Sequence, residues 1–278
     1  MDGIPTKAVG KVRIGISGWR YAGWRGVFYP PKLAQRRELE FASREFSTIE
    51  INGTFYSLHR PKSFAKWISE TPDDFVFSLK GSRYITHLRR LLEVEKPLAN
   101  FFAQGLLQFG EKLGPFLWQF PPNFKYERER LERFFRLLPR SAKQAARLAR
   151  RHDERMDEHS WTSVKQDRPL RHCIEIRHES FAMPEFIELL REYSIGLVVA
   201  DTVEWPLLMD VPAILCTVGC MVRSSCMRAA MAMLHLICGQ RGWLRGREGK
   251  NLQTDDLRIP HGVRARNHVM YMFTSTTI

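Results

Sequence analysis

Short apolar runs, some alternating with polar residues and some unbroken, recur through about residue 206, and a glycine, a proline or a charged group stops each one. This is the signature of strands separated by turns and helices. Residues 12–18 (VRIGISG) alternate and stop at Gly18, then give way to an aromatic loop with Trp19, Tyr21, Trp24, Phe28 and Tyr29. Residues 33–46 space Leu33, Leu39, Phe41 and Phe46 among arginines and glutamates, which predicts an amphipathic helix. Ile49-Glu50-Ile51-Asn52 alternates again and breaks at Gly53. A helix capped by Ser63 is expected to run to Glu70, and a third strand over residues 75–80. Residues 91–113 read as helix broken at Pro97, 115–120 as a fourth strand, and 126–138 as a basic amphipathic helix. Residues 139–171 are rich in Ala and Arg and then polar without period, which predicts an exposed insertion. Strand five falls at 172–178, a helix at 184–193, and strand six at 196–201.

Apolar strands alternating with helices describe a parallel sheet buried on both faces. Six such units by residue 206 leave room for two more, and eight close a TIM-type (β/α)8 barrel of the α/β class. In that architecture the active site lies at the carboxyl ends of the strands. Trp19, Glu50, Asn52, Lys80, Gln119, Glu175, Arg177 and Asp201 all fall there. A core strand that ends in a carboxylate needs a partner for it, so the convergence points to a polar pocket.

Charge adds a possible partner. Lys and Arg number 43 against 30 Asp and Glu, a formal charge of +13, so nucleic acid or another polyanion is a legitimate ligand. No run of 18 apolar residues occurs and residues 1–11 carry no apolar signal core, which predicts a cytoplasmic protein with no membrane partner. Four of the five cysteines crowd between Cys216 and Cys238 without a His or carboxylate at zinc-site spacing, so no metal is expected there. The sequence names no cofactor and no oligomeric state.

Several ordered motifs then carry a likeness. They are Gly15-Ile16-Ser17-Gly18-Trp19, Glu50-Ile51-Asn52 with Thr54-Phe55-Tyr56, Lys80 with Thr86-His87, Gln119-Phe120-Pro121-Pro122, Glu175 with Arg177-His178, and Ala200-Asp201 with Trp205-Pro206. Together they resemble the domain-of-unknown-function 72 family from residue 12 to about 212. The resemblance implies a TIM-type barrel without an established activity, likened at fold level to endonuclease IV-like and sugar-isomerase barrels. Fold analogy does not carry function.

From residue 213 the family's strand-seven motif (Tyr, any residue, Arg-Leu-His-Gly) and its closing Tyr-Phe-Asp-Asn motif are absent. Joining the third base of each codon to the first two of the next restores both. Met221-Val222 and Met231-Ala232 then force glycine, Met270-Tyr271 and Met272-Phe273 force valine, and Cys220-Met221 forces His or Tyr. The expectation is therefore a barrel over 12–212 and a frame-shifted tail over 213–278, with strands seven and eight corrupted or missing and unable to close the sheet.

For an enzyme, Glu50, Glu175 and Asp201 offer acid/base chemistry, Lys80 and Arg177 hold an anion, and His87 carries a proton. Trp19, Asn52, Tyr56, Gln119 and Trp205 line the substrate side. The leading expectation is hydrolase-like action on a phosphoester or sugar. One alternative is a nucleic-acid or polyanion binder without catalysis, in which the aromatics stack bases over a basic rim. Another is a non-functional frame-shifted product. Any single member also has a structural explanation: Glu175 with Arg177 suits an internal ion pair, and His178 suits packing beside Phe181.

Overall fold

A computed structural model describes residues 11–201, 206, 208, 215–221 and 269–275 of the 278-residue chain. Six strands, β1 (Lys11–Ser17), β2 (Thr48–Ile51), β3 (Val76–Lys80), β4 (Leu113–Gln119), β5 (His172–Glu175) and β6 (Gly196–Asp201), pair in sequence order. All five neighbouring pairs are parallel, and these six strands form a curled α/β half-barrel. The helices that return each strand to the same end are α1 (Glu38–Glu45), α3 (Pro61–Ser69), α4 (Glu95–Ala103), α5 (Arg128–Leu137) and α7 (Pro184–Glu192), while a short α2 (Gly53–Tyr56) follows β2 directly.

The tail departs from expectation. Residues β7 (Leu215–Met221) and β8 (Val269–Ser275) are strands, so the sheet does not end at β6. β7 continues it in parallel, and β8 lies antiparallel between β7 and β1, completing the strand order. The expected loss of strands seven and eight is corrected in this respect. What differs from a TIM-type ring, in which all eight strands run parallel, is the direction of β8.

Two helix boundaries also differ. Helix α3 starts at Pro61 rather than under a Ser63 cap, because proline at the first helical position gives up an N–H that has no partner in any case. Pro97 does not break its segment; it sits in the first turn of α4, where the same reasoning tolerates it. Residues 139–171 carry α6 (Ala142–Ala149), whose Ser141 hydroxyl caps the amide of Gln144. Ala142, Ala145, Ala146 and Ala149 are buried, and neighbouring Met156 with them, so this stretch packs one face onto the body of the domain.

Two side-chain layers make the core. Outside the sheet, Trp118 meets Phe101 of α4 and Phe134 of α5 at 5.5 and 5.3 Å between ring centroids. Its indole N–H donates to Nδ1 of buried His172, whose Nε2 lies 2.8 Å from the Pro139 carbonyl. Burial drives the His172 pKa down to about 3 against the raising effect of the Pro139 carbonyl, and the Trp118 donor needs Nδ1 unprotonated, so the ring is neutral. Between β1 and β2 the backbones approach so closely that only glycine fits at position 15: an added Cβ would stand 2.0 Å from the Thr48 carbonyl oxygen.

Candidate active site at the carboxyl ends of the strands

Residues paired across a parallel sheet share a face, so the register shows which side chains meet inside. Ser17 pairs with Glu50, Glu50 with Ser78, Lys80 with Leu117, and Gln119 with Glu175. Trp118, on the opposite parity, points outward to the helices. The inner face near the carboxyl ends therefore carries a row of polar groups: Ser17, Glu50, Ser78, Lys80, Gln119 and Glu175. All but Lys80 are buried.

The row has two halves. In the first, the Ser17 hydroxyl donates to Glu50 Oε1 at 3.1 Å and accepts from Asn52 Nδ2 at 2.6 Å. Tyr21 reaches the same place, donating its phenol to the Ser17 carbonyl. Burial, then the nearby Glu50 charge, push the Tyr21 pKa up against the lowering effect of Asn52, so the phenol keeps its proton. In the second half, Glu175 Oε1 accepts from Gln119 Nε2 at 2.6 Å and from Arg177 Nε and an Arg177 terminal amine at 3.0 and 2.9 Å. Three donors on one oxygen fix that carboxylate rigidly.

Between the halves stands Phe55 of α2. The Lys80 ammonium lies 5.2 Å from its ring centre, and the His87 ring lies 5.1 Å away, edge to face. Among the described residues no carboxylate is within ion-pairing distance of Lys80. His87 belongs to a π-helical turn, Tyr84–Leu88, and its Nδ1 meets the Thr86 hydroxyl at 2.9 Å. Its pKa is driven down to about 4, first by burial and then by the positive charges of Arg177, Arg83 and Lys80, with Glu175 opposing. Burial and these positive charges keep the imidazole neutral at pH 7, and a neutral imidazole can both accept and donate a proton. π-helical turns are rare and gather at functional positions.

Among the expected site residues, Glu50 and Asn52 form the first half, and Gln119, Glu175 and Arg177 the second, while Lys80 and His87 lie between them. Tyr56 stands at the rim with 69% of its surface exposed. Trp19 does not line the pocket as a free ring: it is buried edge to face against Trp67 at 5.5 Å, and its carbonyl accepts from Tyr29. Asp201 ends β6 in register with Cys220, with its side chain outside the described residues, and Trp205 is outside them too. His178 does local structural work, accepting from the Ser180 amide at 3.0 Å. Among the described residues no three His, Cys, Asp or Glu side chains gather as a metal site.

Three members were missed. Ser17 sits immediately before the turn glycine Gly18 and Ser78 two residues before Lys80, each on the inward parity of its strand, and for Ser78 that period of two was the available signal. Arg83, just past the β3 turn, carried no strand-end signal at all.

A family model described as "Protein of unknown function DUF72" matches residues 13–235, most of the chain. The chain belongs to the DUF72 family. The match passes residue 212, where the likeness was expected to stop. Among curated relatives, UPF0759 protein YunF of Bacillus subtilis is 30% identical over 123 residues, 42% of this chain and 43% of that protein. UPF0759 protein YecE of Escherichia coli is 30% identical over 133 residues, 41% of this chain and 46% of that protein. The aligned portion is thus less than half the length of the curated relatives it matches. A DUF72 family protein of Thermotoga maritima superposes with a TM-score of 0.54 at 25% identity, covering 72% of this chain and 70% of that one. An Enterococcus faecalis DUF72 structure, at 16% identity and TM-score 0.50 over 72% of this chain and 66% of that one, agrees in fold alone. No described helix is long and apolar enough to cross a membrane.

Proposed function

We propose that this DUF72 protein binds an anionic phosphoester or sugar derivative at the carboxyl ends of its strands and hydrolyses it. The observation that carries the reading is that the Lys80 ammonium and the His87 ring share the Phe55 ring, with strands to either side ending in buried Glu50 and in Glu175 bonded to Arg177. Fixed cations in a partly closed site stabilise charge that develops on a transferring group. In this reading Lys80 and Arg177 hold the anion, His87 transfers the proton, and Glu50 activates water. Glu175 orients Arg177, while Asn52 and Gln119 set the two carboxylates. Tyr56 forms the rim. The test is a panel of p-nitrophenyl phosphate, bis-p-nitrophenyl phosphate and p-nitrophenyl glycosides. Turnover of one class, falling at least a hundredfold in Glu50→Gln and His87→Gln, supports hydrolysis. Turnover that both variants retain counts against it.

A second reading concerns the tail, and the codon arithmetic favours it. Read one base out of step, residues from about 213 supply the strand-seven and closing motifs of the family, with forced glycines and valines at the required places. On this reading the ancestral protein is a complete all-parallel (β/α)8 barrel, and the chain as translated is impaired or inactive. The nucleotide sequence decides: codons incompatible with the offset motifs remove the idea.

A further inference from the structure

The rim of the site carries features that anion capture does not use. Tyr56 ends α2 with its ring against Phe55 at 5.0 Å and most of its surface in solvent. Tyr84 opens the π-helical turn and is 44% exposed. Both aromatic rings are exposed, one on the helix that carries Phe55 and the other on the turn that carries His87, and neither is needed to fill the core. Immediately after His87, Leu88 leaves the site and lines a groove of about 650 Å³ with Arg89, Arg90, Leu92, Glu93 and Arg130. Leu88 and Leu92 are both exposed. The guanidinium groups of Arg90 and Arg130 stand 5.5 and 5.9 Å from the Phe124 ring centre. Arg90 is braced by the Asn123 carbonyl, and Arg89 and Arg130 by Glu93 and Glu127. With Arg89 and Arg130 paired to Glu93 and Glu127, the groove keeps the positive charge of Arg90, whose partner Asn123 is neutral.

We propose that the ligand is single-stranded nucleic acid, with bases stacked on Tyr56 and Tyr84, one phosphate at Lys80, Arg83 and Arg177, and the continuing strand in the Leu88–Arg90–Arg130 groove. This rests on the anion-binding reading and gives its ligand a class. Aromatic rings beside a basic track are how sequence-tolerant single-strand binders work: every base has a face to stack and every linkage a charge. A rigid duplex offers no unstacked bases to the two rings. A plain polyanion has no use for them, and a lone phosphate has no use for the groove.

The experiment titrates fluorescently labelled oligo(dT) of about a dozen nucleotides, a length that one binding module of this kind accommodates, into the full-length protein at low salt, reading anisotropy. Heparin and inorganic pyrophosphate serve as competitors. Loss of one base–aromatic stack predicts a weakening of roughly 5-fold or more for each of Tyr56→Ala and Tyr84→Ala, with pyrophosphate affinity unchanged in Tyr84→Ala. Arg90→Gln is expected to lower the salt slope by about one. Both tyrosines are exposed, so unchanged circular-dichroism spectra are expected of their variants. Oligonucleotide affinity that the tyrosine variants keep overturns the proposal, as does heparin binding that matches the oligonucleotide. If pyrophosphate binds and oligo(dT) does not, nucleic acid is refuted while the anion site stands. If neither binds, both fall.

Discussion

Glu175 offers the sharpest separation between a structural and a functional carboxylate. Its Oε1 accepts from Gln119 and twice from Arg177, and the side chains of Glu175 and Arg177 are 5% and 20% exposed. Removing one partner of a buried ion pair costs about 3–5 kcal/mol, because the other charge loses its compensation in a poorly solvated place. Arg177 retains some solvent and other interactions, which places Glu175→Ala at the lower end, about 3 kcal/mol. Glu175→Gln keeps an acceptor oxygen for the guanidinium and loses only the charge, so about 1–2 kcal/mol is expected. Urea unfolding followed by tryptophan fluorescence measures both, with a common slope required for the comparison. A Glu175→Ala variant as stable as the wild type, or more stable, refutes the ion-pair account. That result is the one expected of a carboxylate held under strain for catalysis.

Other outcomes follow from the same geometry. Gly15→Ala drives a Cβ into the Thr48 carbonyl, so β1 and β2 must separate, and a loss of about 3 kcal/mol or failure to accumulate folded protein is expected. Lys112→Met removes an ammonium that donates to the Ile68 and Thr71 carbonyls behind α3, at 2.9 and 2.8 Å, and should lower stability by about 2 kcal/mol in thermal melts. The imidazole of His87 should titrate near 4 by NMR, and Arg177→Ala should raise that value because Arg177 is the foremost charge depressing it. Its folded pKa lies below the ordinary 6.5, so the unfolded chain binds more protons between those values. The His87 contribution to stability is therefore complete above about pH 6.5 and is lost as pH falls towards 4.

Most of the six-strand frame was legible because strand and helix periods differ and each strand stops on a glycine, proline or charge. The inner polar row was legible in its charged members and in Gln119 for the same reason: Glu50, Lys80, Gln119 and Glu175 fall at strand ends. Ser17 and Ser78 escaped notice because a serine in a strand has no chemistry that stands out until the register places it beside a carboxylate. Trp19 was overread. A tryptophan after a strand suits stacking, but only packing shows that Trp67 already covers it. The π-helical turn at Tyr84–Leu88 had no periodic signature, since five residues are too few to distinguish 3.6 from a wider turn. The direction of β8 depends on a connection that no local pattern encodes.

The central claim is that the strand ends form an anion site, and calorimetric titration of the full-length protein with pyrophosphate tests it most directly. Binding is expected to weaken with ionic strength, to fall at least tenfold in Lys80→Ala, and to be untouched by Arg191→Ala, in the last turn of α7 that leads into the amino end of β6. Pyrophosphate heats indistinguishable from dilution, or equal affinity in Lys80→Ala, would contradict it.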